Sequence, residues 1–221
     1  VTGFAETERR FMCSDGWELG GIVRMPEPAE GPVATILMVP DSFHERDVYE
    51  SLASRLDSVT LASVRLDIRG RGASRGATPY ARMGPQQRRR VADDVRSSLE
   101  QLSTVDGLAS DRLGVVAERN TAPDVVAGAA GQVGGVVVLG AWPARRMIEA
   151  LREHPVPVLG LVSAEDRLGL RGTADAFLAG SAAGSRIEVL HRRGFGTTMF
   201  STGRGSSLER VIAAWFAEVL S

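Results

Sequence analysis

The sequence predicts an α/β protein: a twisted, mostly parallel sheet with helices on both faces and an antiparallel ribbon at its N-terminal end. Three observations predict it. Continuous apolar runs such as residues 33–39 and 134–139 are too short for helices and have the pattern of strands buried on both faces. They alternate along the chain with segments of helical period. The length, 221 residues, fits one domain of this class at about 150 residues per domain.

Residues 10–13 and 17–25 read as two strands joined at Ser14-Asp15-Gly16, whose Asp-Gly pair suits a hairpin turn. Residues 26–32 form a loop rich in Pro, Glu and Gly, and Pro40 closes the buried run that follows it. A second buried run covers 59–66. Between the two, Val48, Leu52 and Leu56 recur every four residues, so 48–56 is the helical crossover of a βαβ unit and its strands pair in parallel. Residues 85–102 read as one long helix with Val91, Val95, Leu99 and Leu102 on a single face. A strand at 112–117, a small-residue helix at 122–130 and a strand at 134–139 continue the alternation. After them come a β-run at 156–163, a helix at 170–178 and a strand at 186–190. The closing helix, 206–220, carries Val211, Ile212, Trp215 and Phe216. No internal repeat or low-complexity tract interrupts the series.

Composition narrows the function classes. Cations number 26 and anions 27, a formal net charge of −1, so no net field draws a polyanion or an acidic membrane surface. Every cation is Arg. Without Lys there is no Schiff-base chemistry, no Walker-type phosphate loop and no Ser-x-x-Lys hydrolase. Cys13 is alone, and His44, His154 and His191 are too scattered for a His-x-x-x-His pair, so neither a metal nor another cofactor is expected. Arg82 and Arg88-Arg89-Arg90 form a basic cluster, but Asp93 and Asp94 follow on the same helix, which reads as a solvated face. With 5% aromatic residues there is no stacking platform, and no nucleic-acid partner is expected. No apolar run approaches the roughly 18 residues that span a bilayer. The first residues lack a signal-peptide pattern, so a cytoplasmic location is expected; the start at Val1 reads as excision from, or fusion to, a longer polypeptide.

Ligands of such sheets bind beyond the carboxyl ends of the strands. That rule selects Asp41, Ser42 and His44, then Arg119 and Asn120, then Asp166, and finally His191 and the residues after it. Three motifs lie in the same places: Asp67-Ile68-Arg69-Gly70-Arg71-Gly72-Ala73-Ser74, of the form D-x-R-G-x-G-x-S; Ser163-Ala164-Glu165-Asp166; and Gly194-Phe195-Gly196-Thr197-Thr198-Met199. In order and spacing they resemble the α/β-hydrolase family, of the small esterase or dienelactone-hydrolase type, over nearly the whole chain. The resemblance implies an α/β-hydrolase-like fold in one domain, 1–221. It places Asp166 as the acid, a nucleophile on a G-x-S-x-G elbow, and a base in a final G-H-G-T loop. The short stretch between Leu139 and Val156 leaves no room for a lid domain.

The chain departs from that pattern at three places. Its elbow reads Ala117-Glu118-Arg119-Asn120-Thr121, and a guanidinium is neither nucleophile nor general base at neutral pH. The base position is Phe195, which accepts no proton. The usual His-Gly of the oxyanion loop is replaced by Pro40-Asp41, and a carboxylate there repels a developing oxyanion. The triad is expected to be degenerate at Arg119 and Phe195 while Asp166 persists. Asp41 and Asp166 are expected to approach Arg119 as counter-ions, because a buried guanidinium needs them.

Plainer readings stand beside these. Asp166 reads as a counter-ion more readily than as a surviving acid. Asp67 and Arg69 read as a turn scaffold, and His44 as a helix-end residue or part of the crevice mouth. His191 is a strand-end histidine or a displaced base. Ser42 and Cys13 are the conceivable substitute nucleophiles, neither with a base at recognisable spacing. Trp17, Trp142 and Trp215 read as core or rim aromatics. Three functions follow: a non-hydrolytic binding, scaffold or accessory domain with a protein partner or fused catalytic domain; an enzyme that clamps a small anionic ligand with Arg119 and uses Asp41, Asp166 or His191 for acid–base work; or a weak esterase or thioesterase whose nucleophile lies elsewhere.

Overall fold

In the computed structural model, which describes residues 3–76, 78–180, 182–191, 194–200 and 205–221, the apolar runs become the centre of an eight-stranded sheet. Its strands are β1 (Gly3–Met12), β2 (Glu18–Glu27), β3 (Val33–Val39), β4 (Ala62–Leu66), β5 (Leu108–Glu118), β6 (Gly135–Leu139), β7 (Val158–Ser163) and β8 (Arg186–Leu190). They lie side by side in the order β1-β2-β4-β3-β5-β6-β7-β8. The pairs β1/β2 and β2/β4 are antiparallel and all other neighbours are parallel. The predicted class is therefore the observed one.

Side chains of a strand point alternately to opposite faces, and here both faces are apolar. Leu37 and Val39 of β3, Val115 and Ala117 of β5, and Val136 and Val138 of β6 share one core with α3 (Val91–Leu102), α4 (Ala122–Ala129), α5 (Arg145–Glu153) and α6 (Arg167–Gly180). Ile36 and Met38, Val116, and Val137 and Leu139 face the other core, closed by α1 (Glu50–Leu56) and α7 (Gly205–Val219). Trp215 and Phe216 of α7 pack edge to face there, 5.1 Å between ring centres, and both are buried. No helix among the described residues is long and apolar enough to cross a membrane.

Four local expectations are corrected. The long helix at 85–102 is two, α2 (Pro85–Arg89) and α3, because the chain tightens at Arg90, whose N–H bonds the carbonyl of Gln87 three residues back. The strand expected from 59 begins at Ala62, since residues 57–59 make a single 3-10 turn and Thr60 is left-handed, φ 55°. β1 starts at Gly3; its largely exposed, polar length hides the alternation that marks buried strands. Helix α5 was not anticipated, because only Met147, Ala150 and Leu151 of its arginine- and glutamate-rich sequence are buried.

The D-x-R-G-x-G-x-S segment is a scaffold. The Asp67 carboxylate accepts the N–H groups of Arg46 (2.8 Å) and Ala73 (2.9 Å). Gly72, at φ 41°, passes so close that a Cβ would lie 2.3 Å from an Asp67 oxygen. Ser74 donates to the carbonyl of Asp67 and accepts from Gly20. Buried Arg69 pairs with Asp94 and Asp15 and stacks over Trp17. These bonds tie the loop after β4 to β2, α1's approach and α3.

Candidate functional site

The crossover from β3 through α1 leads to β4 on one side of β3, whereas β5 lies on its other side. Between β3 and β5 the order of the sheet reverses, and such a switch point opens a crevice at the carboxyl ends of the strands. Val39 and Ala117 are register partners there, so the residues after them, Pro40-Asp41-Ser42 and Glu118-Arg119-Asn120, face each other across the crevice.

Arg119 sits on a sharp strand-to-helix bend in the left-handed region, φ 43°, a conformation that costs an L-residue roughly 1–2 kcal/mol. The bend is held from several sides. The N–H of Arg119 donates to Leu139 (3.1 Å), its carbonyl accepts from Trp142 (3.0 Å), and the Thr121 hydroxyl bonds the carbonyls of Pro40 and Glu118 (2.8 Å each). Strain persists where the surroundings over-determine it.

The Arg119 guanidinium lies with Nη1 2.9 Å from Asp166 Oδ2 and Nε 3.8 Å from Asp41 Oδ2. Its Cζ lies over two aromatic rings, 5.7 Å from the centre of Trp142 and 5.3 Å from that of Phe195, within cation–π range. The side chain is 20% exposed. Asp166 is itself fixed by accepting the N–H of Gly169 (2.9 Å) in the first turn of α6.

Ser42 and Asn120 close on each other. The Ser42 N–H donates to Asn120 Oδ1 (3.2 Å) and Asn120 Nδ2 donates to the Ser42 hydroxyl (2.7 Å). The backbone donor that follows β3 is thus already engaged.

Glu118, the last residue of β5, has no exposed surface. Its Oε2 accepts the N–H of Asp41 (3.1 Å), and its Oε1 accepts both the N–H (2.6 Å) and the hydroxyl (2.9 Å) of Thr197. The final loop comes this close because residue 196 is glycine, φ 56°; a Cβ would stand 2.1 Å from Glu118 Oε1 and 2.9 Å from Arg119 Cδ. His44 points into the same group, with Nδ1 3.1 Å from Asp41 Oδ1, 3.6 Å from Glu118 Oε1 and 3.5 Å from the Thr197 hydroxyl. Its bond to Glu118, with the charge of Asp41, holds the imidazole's pKa above the usual histidine value. Burial, reinforced by the charge of Glu118, pushes the Asp41 carboxyl up as well.

The fold thus gathers Asp41, Ser42, His44, Arg119, Asn120, Asp166 and Phe195 around one crevice. His44 lies just before the 3-10 turn at Arg46–Tyr49 and turns its ring toward Asp41, Glu118 and Thr197 at the crevice mouth. His191 is exposed after β8, and among the described residues no hydrogen bond or ion pair joins it to this group. Cys13 is buried beside Asp94; burial first, then that charge, pushes its thiol far up and keeps it from acting as a thiolate. Sequence reasoning passed over Glu118, Trp142 and Thr197. A carboxylate ending the apolar run 115–117 was the available signal for Glu118; for the other two only the folded chain supplies one.

No protein-family model matches the chain, and no curated protein is similar to it in sequence. Solved structures do match in fold. A dienelactone hydrolase from Anabaena variabilis superposes with a TM-score of 0.77 at 16% identity, covering 99% of both chains. The esterase domain of a Rhodothermus marinus protein gives 0.74 at 15% identity, over 98% of this chain and all of that one. A dienelactone hydrolase-like promiscuous phosphotriesterase from metagenomic libraries gives 0.74 at 16% identity over the same shares. The chain has the α/β-hydrolase fold.

Proposed function

We propose that this chain, an α/β-hydrolase fold, does not hydrolyse esters and works as a binding or accessory domain whose former catalytic crevice is closed by Arg119. The observation that carries the reading is the guanidinium of Arg119 on the strained bend, paired with Asp166 and stacked on Trp142 and Phe195. An acyl-transfer mechanism places a nucleophile on that bend and a base beside it; here the bend holds a permanent cation and its neighbour is a benzyl ring. Asp41 adds negative charge where donors would stabilise an oxyanion, and the Ser42 N–H is spent on Asn120.

Fold alone assigns no role, and the crevice rim supports the binding reading. Phe43, Leu168 and Phe195 are large apolar side chains exposed beside Ser42, Asp166 and Arg119, with Phe43 69% exposed. Where such side chains join into one contiguous patch they form an interaction site for a protein partner. An anion clamp at Arg119 is less well supported, because Asp166 and Asp41 already occupy the guanidinium as counter-ions.

The test is turnover. With p-nitrophenyl acetate, an aryl thioester and a dienelactone, the protein is expected to leave each substrate at the buffer rate and to show no burst. Hydrolysis that scales with protein concentration and disappears in Ser42→Ala overturns the reading.

A further inference from the structure

We propose that Asp41, His44 and Glu118 form a binding site for a divalent transition-metal ion, with Zn2+ the best fit. The three residues come from the loop after β3 and the end of β5, and each offers one ligand atom, all within 4.8 Å of one another. Asp41 Oδ1 lies 3.1 Å from His44 Nδ1, which lies 3.6 Å from Glu118 Oε1. Zinc bonds of about 2.0–2.2 Å put neighbouring ligand atoms of a tetrahedral ion roughly 3.3–3.6 Å apart, so the two distances from the imidazole lie close to ligand spacing and a shift of a few tenths of an ångström brings both into it. A fourth oxygen, the Thr197 hydroxyl, lies 2.9 Å from Glu118 Oε1 and 3.5 Å from His44 Nδ1.

The supporting bonds orient the donors as metal sites require. The second oxygen of Glu118 is held by the N–H of Asp41, and the second oxygen of Asp41 faces Arg119. Oδ1 and Oε1 are the oxygens turned toward the imidazole; Oδ1 also accepts the N–H groups of Phe43 (2.8 Å) and His44 (3.1 Å), and Oε1 accepts from Thr197, so a bound ion shares each oxygen with these donors. One nitrogen and oxygen donors suit zinc or its neighbours in the first transition row better than calcium or magnesium, which prefer oxygen alone.

Charge gives an independent reason. Asp41 and Glu118 are almost wholly buried, and Asp166 adds a third carboxylate, while the cationic partners among the described side chains are Arg119 and, when protonated, His44. Buried charge is stable only when paired or coordinated. Ions reach the group from the side of His44, 30% exposed, which lines a cleft of about 300 Å3 with Val48, Ser51, Thr197, Thr198 and Phe200. The pattern-based expectation of no metal rested on paired histidines and cysteines; this set needs one histidine and two carboxylates that the sheet topology brings together.

The experiment is calorimetric titration of the chelator-treated full chain with ZnCl2, repeated with CoCl2 to read the cobalt absorption bands. Expected are one equivalent bound and an affinity lowered at least 100-fold in His44→Ala, whose partly exposed side chain is removed without opening the core. His154→Ala and His191→Ala are expected to bind like the parent. Asp41→Asn, with its fold checked by circular dichroism, is expected to lose at least 10-fold. The proposal is overturned if the parent binds no ion, if His44→Ala binds as tightly as the parent, or if either control variant removes binding.

Discussion

Arg119→Ala is expected to lower the unfolding free energy by about 3–5 kcal/mol, the usual result of removing one partner from a buried ion pair. The side chain is partly exposed, but its partners Asp166 and Asp41 are not. Without the guanidinium, two buried carboxylates face each other's field, and the rings of Trp142 and Phe195 lose the cation between them. Arg119→Gly separates the charge from the bend. It loses the same contacts but relieves the left-handed strain at φ 43°, so it is expected to be about 1 kcal/mol more stable than Arg119→Ala. That ranking is the reverse of the one found inside regular helices. Urea unfolding of the three proteins reads both effects. Methylguanidinium at about ten times its dissociation constant is expected to return roughly 1.4 kcal/mol to the Gly and Ala variants and nothing to the parent.

Glu118→Gln is expected to cost about 2–3 kcal/mol although it changes the side-chain volume little. Both oxygens of Glu118 accept from fixed donors, Asp41 N–H on one side and Thr197 N–H with its hydroxyl on the other. A glutamine has one acceptor oxygen and one donor NH2. Whichever way the amide turns, its NH2 meets a backbone N–H inside the core. The loss is expected to be local as well as global: the Thr197 amide should exchange with solvent at least tenfold faster in Glu118→Gln, while the amides of β6 keep their rank order of protection. Equal protection of Thr197 in the two proteins would mean that the bond does not anchor the final loop.

The central strands were legible because burial on both faces writes an uninterrupted apolar run, as in β3 and β6. The edge was not, because β1 has one weakly covered face and a polar sequence, and α5 hides three buried residues among arginines and glutamates. Around the crevice, Arg119 and Asp166 were legible from their places just after strands, where this architecture puts its ligands. The group of Asp41, His44, Glu118 and Thr197 was not, since residues 41, 118 and 197 meet only after β5 pairs with β3 and Gly196 lets the final loop approach. For His44 the sequence leaves a helix end and the crevice mouth side by side; its two carboxylate neighbours are visible only in three dimensions.

A cation occupies the bend from which a hydrolase of this fold attacks its substrate. Incubating the protein with a fluorophosphonate probe and weighing it intact tests this most directly, with an active serine hydrolase as the labelled control. The expected result is the unmodified mass. A one-to-one adduct mapped to Ser42, Thr197 or another hydroxyl of the crevice would contradict it.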